Sequence, residues 1–149
     1  MLKLDGTTRS ESAAAWLRLA QGVSMADRVA APSECETTVQ FSRTLLQMTS
    51  EELREAKQET AELSIAVAAE RIRPLEDHVK RLVLLGLVNI AFSDHVFKRA
   101  ENDFLASIAS NIELTPSDLV DAFIAARRLM DATGTPVEAD ADLMNAGSA

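Results

Sequence analysis

The sequence predicts an all-α single domain, a bundle of about seven helices. Three observations carry that expectation. Gly and Pro number only 5 and 4 in 149 residues, while Ala, Leu and Glu, all strong helix formers, abound. Apolar residues recur at three- and four-residue intervals along most of the chain. Between Leu82 and Phe92 only Gly86 and Asn89 interrupt apolar side chains. A helix apolar nearly all round needs neighbours on several sides, and this run is too short for a membrane span of roughly 18 to 20 residues. Val79 to Phe92 is therefore expected to be the central core helix.

The elements follow from caps and spacing. Residues 1–9 read as a loose leader, and the foldable domain as 10–133. Ser10 suits the N-cap of a first helix reaching Met25, with Ala13, Leu17, Ala20 and Val23 on one face. Gly22 weakens this helix locally. Pro32 suits the first position of a second helix, running to about Gln47 and burying Cys35, Val39, Ser42, Leu45 and Leu46. Thr49-Ser50-Glu51-Glu52 is a capping box opening an edge helix with a thin apolar stripe, Leu53, Ala56, Thr60 and Leu63. Ile65, Ala68, Ala69 and Ile72 mark a different face, so a break is expected between Thr60 and Ser64, although no Gly or Pro forces one. Pro74 reads as the first residue of the central helix. Beyond a loop from Ser93 to Lys98, Arg99 to Asn111 is amphipathic through Phe104, Leu105, Ile108 and Ile112. Thr115, Pro116 and Asp118 are a cap, a first-turn proline and an acid three residues past the cap. The last helix is expected to bury Leu119, Val120, Phe123, Ile124 and Leu129 or Met130, and to stop before Gly134 and Pro136. Residues 134–149 read as a disordered acidic tail.

Charge and composition exclude several functions. The net charge of −8 repels nucleic acid, and no Lys/Arg stripe offsets it. Tyr is absent and aromatics are scarce, so stacking platforms for single strands are not expected. One cysteine, Cys35, forms no internal disulfide. The opening residues lack the apolar segment of a secretory signal, which makes a cytoplasmic protein the expectation. There is no Gly-rich phosphate loop, H-E-x-x-H pair or G-x-S-x-G elbow. Cys35 follows Glu34, and an acidic neighbour raises a thiol pKa instead of activating it. An enzyme is not expected, and no cofactor is called for apart from a divalent cation considered below.

The chain contains an internal repeat. With Trp16 set on Val83, Leu17 falls on Leu84, Asp27 on Asp94, Val29 on Val96 and Glu34 on Glu101. After a one-residue slip, Met48-Thr49 matches Leu114-Thr115 and Glu52-Leu53 matches Asp118-Leu119. Both halves read as apolar helix, Asp, loop, Glu near a helix start, apolar helix, Thr-capped helix. Two helical hairpins about a pseudo-dyad are the expected arrangement.

That order resembles the tellurite-resistance TerB family and the TerB-like domains of some membrane-bound J-domain co-chaperones. The family's mark is an apolar helix ending in Ala-Asp-Gly, then a Glu seven residues after the Asp, then a Leu-Ser/Thr-x-x-Glu/Asp helix start. Here the copies are Ala26-Asp27 to Glu34 and Ser93-Asp94 to Glu101. Arg28 and His95 replace the glycine, and Ala31 and Lys98 stand where the family prefers Ser or Thr. The resemblance implies a non-enzymatic stress-response or tellurite-resistance protein acting through protein partners, some of them at the inner face of a membrane, without insertion into it.

Two sets of acids are the candidate sites. Asp27, Glu34, Asp94 and Glu101 offer carboxylate oxygens to a hard divalent cation, which would make the chain a sensor. Each loop supplies only two acids and lacks the order of an EF-hand, so a structural role weighs against it: Asp bonding the loop backbone, Glu completing a helix cap. His95, beside Asp94, adds too little for a transition-metal set, and His78 reads as a solvated side chain. Glu52, Glu55, Glu59 and Glu62 share one helical face, where like charges four apart disfavour one another by a few tenths of a kcal/mol. That stripe suits a basic partner, although a solvated edge face is the commoner reading, and the cations Arg71, Arg73, Lys80 and Arg81 could answer it within the fold or across a dimer.

Overall fold

The computed structural model describes residues 9–25, 38–43, 47–93, 96–132 and 138–139. Among the described residues the chain is helical in seven segments, apart from one two-residue strand pair. They are α1 (Arg9–Met25), α2 (of which residues 38–43 are described), α3 (Ser50–Thr60), α4 (Ile65–Ile72), α5 (Asp77–Phe92), α6 (Arg99–Asn111) and α7 (Pro116–Ala132). A two-residue parallel pairing joins Val96–Phe97 to Glu138–Ala139.

Two helices share the centre, where the sequence pointed to one. α5 buries Val79, Val83, Leu84, Leu87, Val88, Ile90, Ala91 and Phe92, and packs on α1, α6 and α7. α1 is as deeply enclosed and touches α3, α4, α5 and α6. Its alanines hide this from a hydropathy reading: Ala13, Ala14, Ala15 and Ala20 are buried because small side chains let neighbours come close. Gly22 acts the same way. A Cβ there would overlap the Phe104 ring of α6 and stand 2.8 Å from Ile65 Cδ1 of α4. Ser10 lies within α1, which begins at Arg9.

Trp16 is the anchor of the core. It is fully buried, its ring centroid lies 5.2 Å from that of Phe41 in α2, and its indole N–H donates to Ser42 Oγ at 2.8 Å. The Ser42 hydroxyl donates onward to the Thr38 carbonyl at 2.7 Å. Both polar groups are thus satisfied inside the core, as buried polar groups must be. Cys35, Leu45 and Leu46, expected on the same helix, lie outside the described residues.

The helix boundaries have local causes. Thr49 and Glu52 close the expected capping box: Glu52 N–H donates to Thr49 Oγ1 at 3.1 Å, and Thr49 N–H to Glu52 Oε1 at 3.0 Å. The break between α3 and α4 needs neither Gly nor Pro, because Ser64 caps α4 by accepting the Val67 N–H at 3.1 Å. Pro74 does not open the central helix. It lies in the turn after α4, where Leu75 N–H donates to the Ile72 carbonyl, and α5 starts at Asp77 behind Glu76. A proline just past a helix end cannot extend it, so this residue is a stop and not a start.

α6 ends in a Schellman motif. Leu114 N–H donates to the Ala109 carbonyl at 2.8 Å and Glu113 N–H to Ser110 at 3.1 Å, with Glu113 at φ 64° where glycine usually stands. Gln47, at φ 55°, likewise precedes a buried apolar residue, Met48, and a Thr-capped helix. The carbonyl left at the α6 terminus, that of Ile112, accepts from Lys80 Nζ at 3.0 Å. Lys80 is only 4% exposed, and it places its cation at the negative end of the helix.

The last helix departs from expectation. α7 packs on α5 through Leu119, Ala122, Phe123 and Ala126, with Phe123 stacked on Phe92 at 5.9 Å. Val120 and Ile124 are 54% and 45% exposed, and Leu129 is exposed too. Alanines at 122 and 126 bring the helix close along one stripe, which turns 120 and 124 to the opposite side. The Met130 side chain lies outside the described residues.

Candidate functional site

Three of the four stripe acids, Glu52, Glu55 and Glu59, lie on α3, while Glu62 falls beyond its end, and the four do different things. Leu53, Ala56 and Thr60 are buried under α3, chiefly against α1. The other side carries Glu55, which is exposed, and Glu62 follows in the exposed turn after the helix. Glu52 is held in the capping box. Glu59 accepts from Arg71 of α4 at 2.9 Å, with both side chains partly buried. The same guanidinium reaches the Glu11 carbonyl at 3.4 Å, tying α3, α4 and the start of α1 together. Glu51 meets Arg54 at 4.0 Å, both well exposed, a contact worth little in water. Among the described residues, Glu55 and Glu62 are left with no ion pair.

The other cations flanking α5 are engaged elsewhere. Arg81 donates to Asp118 Oδ1 at 3.3 Å, and Arg73 lies 4.0 Å from Glu113. His78 Nδ1 sits 3.2 Å from Glu76 in an exposed pair at the start of α5. None of these meets the α3 stripe.

Asp118 reproduces the capping box with a shorter acid. Thr115 N–H donates to Asp118 Oδ2 at 2.8 Å, and Asp118 N–H returns a bond to Thr115 Oγ1 at 3.1 Å. The Thr115 backbone N–H, then its hydroxyl, hold the carboxyl below the usual carboxylate range, and Arg81 adds to this.

Of the loop acids, only Glu101 is described. Asp27, Glu34 and Asp94 lie outside the described residues, as does His95. Glu101 stands in the first turn of α6, 1% exposed, and its Oε1 accepts the Lys98 N–H at 3.1 Å. Lys98 cannot return that bond as Thr or Ser would, because an ammonium has no lone pair. Glu101 therefore caps its own helix from inside the core. Among the described residues no three His, Cys, Asp or Glu side chains come together as a metal set.

The family described as tellurite resistance protein TerB matches residues 11–128, most of the chain and nearly all of its helices. The chain belongs to the TerB family. No curated protein and no solved structure matched it. TerB proteins are generally non-catalytic. No helix among the described residues is long and apolar enough to cross a membrane.

Sequence reasoning found the stripe but not its division of labour. Arg71 was visible as a nearby cation. Its pairing with Glu59 joins α4 to α3 across the turn between them, a placement that spacing along either helix does not state.

Proposed function

We propose that this TerB-family protein works without catalysis, as a cytoplasmic protein-interaction module in the response to tellurite or related stress. The outer face of α3 is its contact surface, and a basic protein segment is the partner it suits. The observation carrying this reading is that Glu55 and Glu62 stay exposed and, among the described residues, without ion pairs, while the neighbouring Glu52 and Glu59 are held by the fold. Unanswered like charges slightly disfavour their own helix, and a cationic partner turns that cost into attraction. Partners at the inner face of a membrane are compatible with the reading, because the protein itself need not insert.

The divalent-cation sensor is the weaker alternative. It would use Asp27, Glu34, Asp94 and Glu101, and Glu101 already holds the Lys98 N–H from a buried position.

Capture on immobilised full-length protein, eluted by a salt step, tests the module. A partner held by the α3 acids leaves as ionic strength rises, because the Debye length shrinks from about 10 Å at 0.1 M to about 3 Å at 1 M. Partners that resist 1 M salt would speak against an electrostatic contact at this face.

A further inference from the structure

A cavity of about 640 Å³ lies between the C-terminal half of α1, α2, the end of α3 with its following turn, and the start of α4. That size falls within the roughly 300–1,000 Å³ of small-molecule sites. Its deeper wall is apolar, with Leu17 and Leu63 buried and Val39 and Ile65 partly so. Its mouth is marked by Gln21, Met25, Lys57 and Ala61, all exposed.

The charge of the lining runs against the charge of the protein. The chain holds 23 acids against 15 Lys and Arg. Yet among the described residues that line the cavity the charged ones are Arg18 and Lys57, and no acid is among them. Neither cation forms an ion pair among the described residues. Arg18 is fixed in the wall by one bond, Nε to the Leu63 carbonyl at 2.7 Å, which leaves the Nη donors of its guanidinium for another acceptor. Gln21 is held nearby on the Thr60 hydroxyl at 3.4 Å, and Thr60 Oγ1 donates to the Lys57 carbonyl at 2.7 Å. The polar rim is thus preorganised around a site whose described lining carries cations and no anion.

We propose that this cavity binds a small aliphatic anion, a single apolar tail ending in one carboxylate or phosphate, with the tail on Leu17, Leu63, Val39 and Ile65 and the head between Arg18 and Lys57. A bare ion would gain nothing from the apolar wall, and a neutral chain would leave both cations unanswered. A guanidinium and an ammonium recognise carboxylate and phosphate oxygens alike. The proposal is independent of the α3 acidic face, which points to a different ligand through different residues.

Calorimetric titration of the full-length protein with octanoate, octyl phosphate, octylammonium and acetate tests it. Octanoate or octyl phosphate is expected to bind, the tighter of the two naming the head group, with octylammonium and acetate at least about tenfold weaker, a gap of about 1.4 kcal/mol. Lys57→Gln, at an exposed position that the fold does not lean on, is expected to weaken the anion about tenfold. Ala61→Trp, which obstructs the mouth, is expected to remove binding while the circular dichroism melt stays cooperative. Equal binding of octanoate and octylammonium, no heat with either anion at millimolar concentration, or unchanged binding in both variants would overturn the assignment.

Discussion

A Cβ placed on Gly86 would stand 2.7 Å from Cη2 of Trp16 and 2.6 Å from Cε1 of Phe41. The backbone of α5 therefore rests directly on the aromatic pair contributed by α1 and α2. Helix propensity alone favours Gly86→Ala, by about 1 kcal/mol. Overpacking a filled core costs about 1–3 kcal/mol and outweighs it. The variant is expected to unfold at lower urea, followed by the fluorescence of Trp16, the chain's single tryptophan.

Ser42 holds the indole of Trp16 across 26 positions of sequence. Ser42→Ala removes the acceptor and leaves a buried N–H unanswered, a loss of about 1–3 kcal/mol. Denaturant unfolding should show a lower midpoint with an unchanged slope, since the area exposed on unfolding barely alters. An unchanged midpoint would mean that the indole finds another acceptor.

What the sequence disclosed and what it concealed divide along physical lines. Caps are local: Thr49 with Glu52, and Thr115 with Asp118, were readable because both partners lie within one turn. The break after Thr60 was visible in the changing apolar face, although its cause, Ser64, was not. Pro74 was misread because a proline suits both the first turn of one helix and the stop after another, and only the packing of α4 decides between them. The depth of α1 was hidden by its alanines, whose burial reflects close approach more than hydrophobicity. Val120 and Ile124 were expected inside because they are apolar, and Ala122 and Ala126 took the inner stripe. Among the site residues, the α3 acids were found by spacing, and the cavity left no signal because its walls come from four helices.

Asp118 predicts a pH dependence. Its carboxyl is held below the ordinary range by Thr115 and Arg81, so the ionised form belongs to the folded state. The stabilisation is fully present above the unfolded pKa, near 3.9, and is lost as pH falls through the depressed folded value. Asp118→Asn should therefore melt below the wild type at pH 7. The gap should close as acid protonates the wild-type carboxyl. A gap that persists below the folded value would show that the carboxylate charge is not its source.

The non-catalytic interaction reading predicts no strong cation site in the two Asp/Glu loops. Titration with Ca²⁺, Mg²⁺, Mn²⁺ and Zn²⁺ is expected to give no heat at millimolar metal. Heat that disappears in Asp27→Ala with Asp94→Ala would instead establish the sensor.

The most direct test of the proposed function is charge reversal on α3. Glu55→Lys with Glu62→Lys alters two exposed side chains that make no ion pair among the described residues, so the fold should survive. Asp103→Lys with Asp121→Lys makes the same change in net charge at exposed positions on α6 and α7 and serves as the control. Captured partners, compared by quantitative mass spectrometry, are predicted to be lost with the α3 pair and kept with the control. Identical partners in wild type and both variants would contradict the account.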